Sequence, residues 1–173
     1  ISRSLPKNKG TVIVKHANPC GVSIKNDHLE SYKSALSCDP VSAFGGIVSC
    51  NFKITKSLAL ELNKLFLEVI IANGFDNNAI KILKAKKNLR LIDGTNYASK
   101  ELFKLKSFDQ NIIIQSEDLN IFSKKNLKIV SKRKPTFKQL KDLIFAFNVC
   151  RYVKSNAIVL ASNRTTVGIG SGQ

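Results

Sequence analysis

Residues 11–21 read Thr11-Val12-Ile13-Val14-Lys15-His16-Ala17-Asn18-Pro19-Cys20-Gly21. The apolar run at 12–14 lacks the alternation of a half-solvated strand, which predicts a strand covered on both faces, as buried parallel strands are. Two ionisable side chains follow this strand at once. We expect the chain to turn at residues 18–21, because Pro19 cannot donate to a β-ladder and Gly21 allows backbone angles closed to other residues.

Lys15 and His16 are candidate site residues because ligands of open α/β sheets bind beyond the carboxyl ends of the strands. Neighbouring residues of a strand point to opposite faces, so both side chains can serve one site only where the strand bends. Ionisable groups in such a place are typical of a functional site. The alternative interpretation is a solvated lysine followed by a hydrogen-bonded structural histidine.

The rest of the chain alternates helical and strand patterns. Capping boxes predict helices after Asp27 and Thr136, and helical spacing predicts two more, after Thr55 and over residues 79–86. Glu68 is placed near the end of the Thr55 helix. This alternation predicts the α/β class, as a three-layer α/β/α sandwich. Strands are predicted within residues 41–50, 89–92, 112–114, 127–130, 157–161 and 165–169, and residues 69–72 form either a strand or the last turn of a helix.

The chain is strongly basic, with 28 Lys and Arg residues against 12 Asp and Glu residues and a formal net charge of +16. Such a charge suggests nucleic acid or anionic membranes as possible partners. The positive charge is mostly lysine, spread over 81–90, 100–106 and 124–141, without the aromatic interleaving of a base-stacking platform. We therefore favour a solvated lysine-rich surface, then a phosphorylated small-molecule ligand, and only then nucleic acid.

Length and end composition suggest part of a larger protein. At 173 residues the chain has room for about one domain. It contains no methionine and stops inside a glycine-rich loop, so we expect an internal piece of a longer chain. Residues 1–10, with Pro6 and Gly10 as breakers, are interpreted as a mobile lead-in, and residues 11–173 as the domain.

The four cysteines, Cys20, Cys38, Cys50 and Cys150, form no CxxC pair and have no close metal-ligand spacing. Free thiols in a reducing compartment fit this pattern. No apolar run approaches 18 residues and no signal-peptide pattern is present, so we expect a cytoplasmic protein without a membrane partner.

Two further places carry candidate ligand contacts. Phe44 precedes Gly45 and Gly46, which would let the backbone approach a ligand beside a flat apolar ring; the alternative is a hairpin turn with a core phenylalanine. Ser155 and Asn156 offer short polar groups at a helix-to-strand junction, where the alternative is a helix C-cap.

Several blocks of the sequence together resemble one protein family. The family is the bacterial bifunctional purine-biosynthesis enzymes in which AICAR (5-aminoimidazole-4-carboxamide ribonucleotide) formyltransferase is joined to IMP cyclohydrolase. The resemblance lies in the transformylase domain and spans about residues 11–173. It is carried by Val14–Val22, Asp39–Gly46, Glu68–Ala72, Lys86–Arg90, and Lys154–Ile158 with Gly168–Gln173.

This resemblance implies a fold, a reaction and partners. The transformylase domain of that family consists of two cytidine-deaminase-like α/β/α subdomains, and this chain is similar to the first of them. The resemblance implies formyl transfer to AICAR, with 10-formyltetrahydrofolate as co-substrate and without zinc. It also implies a homodimer with sites at the subunit interface, and neither nucleic acid nor membrane as partner.

The resemblance also assigns roles to particular positions. Lys15 and His16 match the catalytic Lys-His pair of the family, and Asn156 matches the asparagine that works beside them, with Ser155 next to it as a substrate contact. Two departures are Asn73, where proline is common, and Ser171, where alanine is frequent. Substrate contacts are further implied for the loop residues Phe44 and Gly45 and for the acidic residue Glu68.

The proposed chemistry suits these side chains. The amine of AICAR is a poor nucleophile because its lone pair is delocalised, so its attack on a formyl carbon needs a base and a stabilised oxyanion. An imidazole such as His16 can take the amine proton near neutral pH and return one to the leaving nitrogen. Lys15 would stabilise the oxyanion, a contribution of about 3 to 4 kcal/mol. Asn156 would bind the formyl oxygen or the carboxamide.

Two rival interpretations remain open. His16 with Pro19-Cys20 is similar to the ligand motifs of zinc deaminases, but that pattern needs a glutamate where Asn18 stands and a second cysteine where Ser23 stands. Metal binding is therefore not expected. A basic nucleic-acid-binding module without catalysis is the second rival, and it predicts salt-sensitive binding to arbitrary DNA or RNA.

Overall fold

The computed structural model describes residues 1–96, 103–116, 118 and 120–172. The lysine-rich stretch 100–106 therefore lies partly, and Gln173 wholly, outside the described residues. Within the described part, the helices are α1 (His28–Leu36), α2 (Lys56–Leu62), α3 (Asn77–Leu83) and α4 (Phe137–Cys150). The strands are β1 (Gly10–Lys15), β2 (Asn18–Ile24), β3 (Gly46–Cys50), β4 (Leu67–Ala72), β5 (Arg90–Asp93), β6 (Phe103–Phe108), β7 (Asn111–Ser116), β8 (Ile158–Ser162) and β9 (Thr165–Gly170).

Seven strands form one mixed sheet in the order β5-β4-β3-β1-β2-β9-β8, while β6 and β7 form a separate hairpin. Strands β3, β4 and β5 are parallel to one another. Strand β1 is antiparallel to both β2 and β3, so the expectation of a parallel β1 is wrong. The reason is the two-residue connection to β2, because so short a loop can join only antiparallel neighbours.

The centre of the sheet is covered on both faces, as the apolar run at 12–14 predicts. Ile13 packs in one core with residues of α1, α2 and α3, whereas Val12 packs in a second core with residues of α4. Both side chains are 0% exposed. Successive strand residues point to opposite faces, so β1 alone contributes to both cores. The predicted α/β class is confirmed, with helices on either face of the sheet.

The N-terminal residues pack against the sheet. A short 3-10 helix covers Ser2–Ser4, and Leu5 is buried in the second core. The buried side chain of Asn51 accepts hydrogen bonds from the backbone of Lys9 and Gly10 and donates to three carbonyls of residues 2–6. Gly10, predicted to break the chain, is instead the first residue of β1.

Capping residues set the helix starts. Asp27 accepts a hydrogen bond from the backbone of Glu30 at the start of α1, as predicted. The box of Thr136 and Gln139 opens α4, also as predicted. Thr55 precedes α2, but its side chain makes no capping hydrogen bond. The carboxylate of Asp76 caps α2 instead, accepting from Lys56 N at 3.0 Å, and it also accepts from Ala79 N at 2.6 Å at the start of α3. One carboxylate therefore caps both α2 and α3.

Three boundaries differ from the sequence-based expectation. Helix α2 ends at Leu62, so Glu68 lies in β4 and residues 69–72 form a strand. Helix α3 begins two residues before 79 and ends at Leu83. Residues 127–130 form no strand, since no neighbouring strand pairs with this β-prone run. In the part of the chain that the structure describes, no helix has the length and apolar character needed to span a membrane.

Candidate functional site

All seven predicted site residues lie along one edge of the sheet, which we call the site edge. Strand β1 ends there and the antiparallel β3 begins there, together with β4, which is parallel to β3. The end of β9 and the start of β8 reach the same edge through the pairing of β9 with β2. Lys15 and His16 thus lie at the carboxyl end of β1, as expected, whereas the parallel strands β3 and β4 contribute their amino ends to this edge.

A two-residue turn carries the Lys-His pair. Lys15 pairs with Asn18 across the hairpin of β1 and β2, and His16 and Ala17 form the turn with φ of 51° and 62°. Positive φ at both central residues is the geometry of the turn that best fits the twist of a two-residue hairpin. The strand therefore ends at Lys15, which removes the alternation constraint and leaves His16 exposed at the tip.

The predicted turn at residues 18–21 is wrong, because these residues belong to β2. Pro19 is tolerated inside the strand because it lies opposite Val14, where the register of the β1–β2 pair shifts. Bulges and edges are the positions at which a sheet accepts proline. The chain instead reverses direction at His16 and Ala17, directly before these residues. Neither histidine nor alanine is a typical turn residue.

The ammonium group of Lys15 is fixed by the loop before β3. Its Nζ donates to the carbonyl oxygens of Phe44 at 2.9 Å and Gly45 at 3.0 Å. Gly45 has a φ of +66°, and a Cβ there would lie 2.8 Å from Nζ. The positive φ favours glycine at this position, and a Cβ there would push the ammonium out of its place. An ammonium has three N–H groups, so these carbonyls leave one for a ligand oxygen.

Phe44 is exposed rather than buried. Its side chain is 60% exposed, and its ring tilts against Phe66 with centroids 5.2 Å apart. The alternative of a core phenylalanine is therefore wrong. The two rings form an apolar wall on the loop whose carbonyls hold the Lys15 ammonium. Such an arrangement can hold a flat ligand with an electron-rich oxygen.

A cleft of about 420 Å³ lies beside the hairpin and is bordered by Lys15, His16, Asn18, Cys20 and Asp39, among others. Hydrogen bonds from the hydroxyl and backbone N–H of Ser42 hold the pKa of the Asp39 carboxyl below its usual value. Burial raises the pKa of the Cys20 thiol to about 11, and the Asp39 charge adds to the effect. Cys20 is consequently protonated at neutral pH and is not a nucleophile there.

Asn18 ties the loop before β8 to the hairpin. Its Oδ1 accepts from the backbone N–H of Lys154 at 3.1 Å, and its Nδ2 donates to Ser171 Oγ at 3.2 Å. The Lys154 ammonium in turn donates to the carbonyl of His16 at 3.5 Å. In the sequence, Asn18 is notable only as the residue that stands where zinc deaminases have a glutamate, and this bridging role is not evident there. A polar residue directly after the Lys-His turn was the available signal.

Ser155 and Asn156 lie in that same loop and are both exposed. Ser155 Oγ donates to Asn156 Oδ1 at 3.1 Å, and α4 ends at Cys150, five residues before Ser155, so the helix C-cap alternative is wrong. Among the described residues, no hydrogen bond joins the Asn156 amide to the side chains of Lys15 or His16. The structure brings the loop to the hairpin but leaves the amide turned to solvent.

Glu68 is exposed at the start of β4, where the pairing with β3 is irregular. Two strand spacings separate β4 from β1 in the sheet order, which corresponds to about 10 Å. Glu68 therefore shares the site edge with Lys15 without touching it. Across the described ranges, no group of three or more His, Cys, Asp and Glu side chains is arranged to hold a metal ion.

These features define an α/β sandwich with a Lys-His hairpin and a glycine loop at one edge of its sheet. The family model of the AICARFT/IMPCHase bienzyme matches residues 2–173. The chain therefore belongs to the AICARFT/IMPCHase bienzyme family, which confirms the resemblance seen in the sequence.

Curated relatives agree with this assignment. The bifunctional purine biosynthesis protein PurH of Thermoanaerobacter sp. (strain X514) is 46% identical over 167 residues, covering 96% of this chain and 33% of that protein. The PurH proteins of Rhodospirillum rubrum and of Buchnera aphidicola subsp. Schizaphis graminum are 47% and 48% identical, over 93% and 94% of this chain and 31% of each relative. The chain thus spans about a third of the length of the relatives it matches.

Proposed function

We propose that this chain is part of an enzyme of purine biosynthesis that transfers the formyl group of 10-formyltetrahydrofolate to the 5-amino group of AICAR. The product would be the formamido nucleotide FAICAR, which a cyclohydrolase part of the same protein would close to IMP. Within this proposal the chain forms the first of two cytidine-deaminase-like subdomains and works in the cytoplasm. The observation that carries the proposal is the Lys15 ammonium held beside His16 at the turn, in a member of this family.

Lys15 would act on the oxygen of the formyl group. Attack of the amine turns the formyl carbon tetrahedral and places negative charge on its oxygen. Because two carbonyls already hold the ammonium, its third N–H has a fixed direction before the substrate arrives. Preorganised donors of this kind need no rearrangement as the charge develops, which is the source of their large effect on rate.

His16 would move the protons. Its ring stands at the tip of an exposed turn one residue from Lys15, so substrate can approach it from solvent. In the forward direction it would take a proton from the attacking amine and deliver one to the folate nitrogen as the carbon–nitrogen bond to the donor breaks. The formyl carbon thus exchanges one nitrogen for another without a change of oxidation state.

The remaining residues would bind and orient. The carbonyls of Phe44 and Gly45 hold the ammonium, and these two residues would line the nucleotide and folate pockets. Ser155 and Asn156 face solvent near the hairpin, where they would meet the carboxamide or the formyl oxygen, and Glu68 would contact substrate farther along the edge. A homodimer with sites at the subunit interface would close this open edge. The excess of lysine suits the phosphate of AICAR and a polyanionic folate.

The test uses the full-length protein that contains this chain. We expect Lys15→Gln and His16→Gln each to lower formyl transfer to AICAR at least about a hundredfold. The cyclohydrolase step, measured as IMP formed from added FAICAR, should be unchanged. Thermal unfolding of each variant is recorded so that a loss of fold is not mistaken for a loss of chemistry.

Matched controls are present in the chain. His28→Gln removes the other histidine, whose ring stacks on Phe52 away from the site edge, and Lys25→Gln removes a lysine next to Glu30 at the far end of β2. Both should transfer formyl groups at near the original rate. Formyl transfer that survives in the Lys15 and His16 variants would refute the proposal.

A further inference from the structure

Lys86 is a second lysine whose ammonium group is held by the backbone at the site edge. It lies in the turn between α3 and β5, and its Nζ donates to the carbonyl oxygen of Leu65 at 2.8 Å. Its own backbone N–H donates to Leu83, and its carbonyl accepts from Leu89, so the turn that carries it is fixed. Lys86 is partly buried, whereas the next residue, Lys87, is exposed. The contact therefore distinguishes one lysine from its neighbour.

The residues around this contact lie side by side along the site edge. Leu65 and Phe66 end the loop before β4, and Lys86 lies in the turn before β5, which is parallel to β4. Gly45 directly precedes β3, and Lys15 ends β1. Strands β5, β4, β3 and β1 are consecutive in the sheet. Contacts between neighbouring strand ends can thus lead from the outer strand β5 to Lys15.

A single peptide unit connects the loop before β4 to the Lys15 ammonium. The N–H of Gly45 donates to the carbonyl of Phe66 at 2.8 Å. The carbonyl of the same peptide unit belongs to Phe44 and accepts from Lys15 Nζ at 2.9 Å. Hydrogen bonds in a chain polarise one another, so a bond to the N–H strengthens the carbonyl as an acceptor. The position of Phe66 therefore affects how firmly Lys15 is held.

We propose that Lys86 is a positioning residue for formyl transfer and acts through Lys15. Its bond to the carbonyl of Leu65 fixes the chain next to Phe66. The peptide unit between residues 44 and 45 transmits this constraint to the Lys15 ammonium. Lys86 itself does not touch the substrate. The inference rests on the proposed function, because it assigns the effect of Lys86 to the direction of the third N–H of Lys15.

The effect of Lys86 should fall on the chemical step. The negative charge that Lys15 would bind develops on the formyl oxygen only as the carbon becomes tetrahedral. A misdirected donor therefore lowers kcat more than it raises KM. Because the constraint passes through several bonds, the loss should be smaller than the roughly hundredfold loss expected for Lys15→Gln.

Kinetics of the full-length protein test the inference. Lys86→Met keeps most of the aliphatic stem and removes the ammonium, and it should lower kcat for formyl transfer about five- to tenfold while KM for AICAR changes less than about twofold. Lys86→Arg retains a donor and should recover at least about half of the lost rate. The matched control is Lys87→Met, which removes the same charge from the exposed neighbour and should leave kcat unchanged.

A double variant shows whether Lys86 acts through Lys15. In a protein that already carries Lys15→Gln, adding Lys86→Met should lower kcat by less than about a further twofold, since the group that it positions is gone. A further loss as large as in the unmodified protein would overturn the inference, because Lys86 would then affect the rate by another route. An unchanged kcat for Lys86→Met alone would also overturn it.

Acylation of Lys15 separates this inference from the proposed function. The Lys15 nitrogen can attack an acylating reagent only after it leaves its two carbonyls, so its labelling rate, followed by mass spectrometry, reports the tether without any substrate. Lys86→Met should raise this rate more than about threefold, and Lys87→Met should not. Unchanged labelling would overturn the inference even where Lys15→Gln abolishes formyl transfer. Faster labelling together with a fully active Lys15→Gln variant would refute the proposed function and leave the link between the two lysines standing.

Discussion

At the scale of single residues, Gly21 shows how a position that looks like a turn residue serves packing instead. Its place after Pro19 and Cys20 predicts unusual backbone angles, yet Gly21 lies within β2 and is not among the glycines with positive φ. A Cβ at this position would lie 2.0 Å from the backbone oxygen of Ala35 in α1. Gly21 is therefore glycine because α1 crosses the strand too closely for any side chain.

The first prediction concerns this close approach. Gly21→Ala forces α1 away from β2 and should lower the free energy of unfolding by about 3 kcal/mol, because a backbone carbonyl cannot rotate aside as a side chain can. Gly170→Ala is the matched control, since a Cβ there meets no atom within 4 Å. Urea denaturation of both variants measures the difference. Similar midpoints for the two would show that α1 yields without cost.

Asn51 is the residue whose importance the sequence least reveals. Its amide joins the start of β1 to three carbonyls of the N-terminal segment, and it is only 5% exposed. Buried polar groups without partners cost about 1 to 3 kcal/mol each, so one side chain removes several such costs at once. An asparagine after a predicted strand normally indicates a turn, and nothing local tells it apart from a structural bridge.

At the scale of elements, helix starts follow the sequence most faithfully. The capping signals at Asp27 and Thr136 are confirmed because each rests on a side chain and a backbone N–H three residues apart. The start of α2 has no such bond at Thr55, and Asp76 replaces it from 20 residues away. Local capping can thus be read from a sequence, whereas capping from a distant segment cannot.

The second prediction tests the capping box of α4. Thr136→Ala removes the acceptor for Gln139 N and should destabilise the protein by about 1 kcal/mol, whereas Thr136→Ser keeps the hydroxyl and should cost little. Chemical denaturation measures both. Phe145 and Val149 of α4 pack in the second core. Loss of the cap should therefore also increase amide hydrogen exchange in this helix. Equal stability of the Ala and Ser variants would mean that the helix start does not depend on the cap.

At the scale of the whole molecule, the sheet divides the interior into two cores. Ile13 belongs to the core beneath α1, α2 and α3, and Val22 and Phe145 belong to the core beneath α4. Backbone of the sheet separates these side chains. Mutations that share no partners usually add in their effect on stability, whereas those within one packed cluster are coupled.

The third prediction follows from this division. Ile13→Val and Phe145→Leu should each cost about 1 to 2 kcal/mol and should add to within about 0.5 kcal/mol when combined. Val22→Ala and Phe145→Leu share a core and should deviate from additivity by more than that. Double-mutant cycles measured by denaturant unfolding compare the two pairs. Strong coupling between Ile13 and Phe145 would show that the sheet transmits packing changes from one face to the other.

The sequence by itself determined the α/β class, the double-sided burial of β1, the start of two helices and the membership of the family. These properties depend on side-chain periodicity, on capping within three residues and on the blocks around Lys15 and Asn156. Each can be read locally, because the interacting groups are close in the chain.

Only the tertiary structure decided the direction of β1, the use of His16 and Ala17 as the turn, and the bonds from Lys15 to the carbonyls at 44 and 45. It also decided that Asn18, rather than Asn156, joins the two loops of the site edge. The His16-Ala17 turn, which sets the direction of β1, is local but contains no residue typical of such a turn. For the bonds of Lys15 and Asn18 the physical reason is that they join segments about 30 to 136 residues apart. Their geometry follows from how strands pair and helices pack across the sheet, and no local pattern encodes that arrangement.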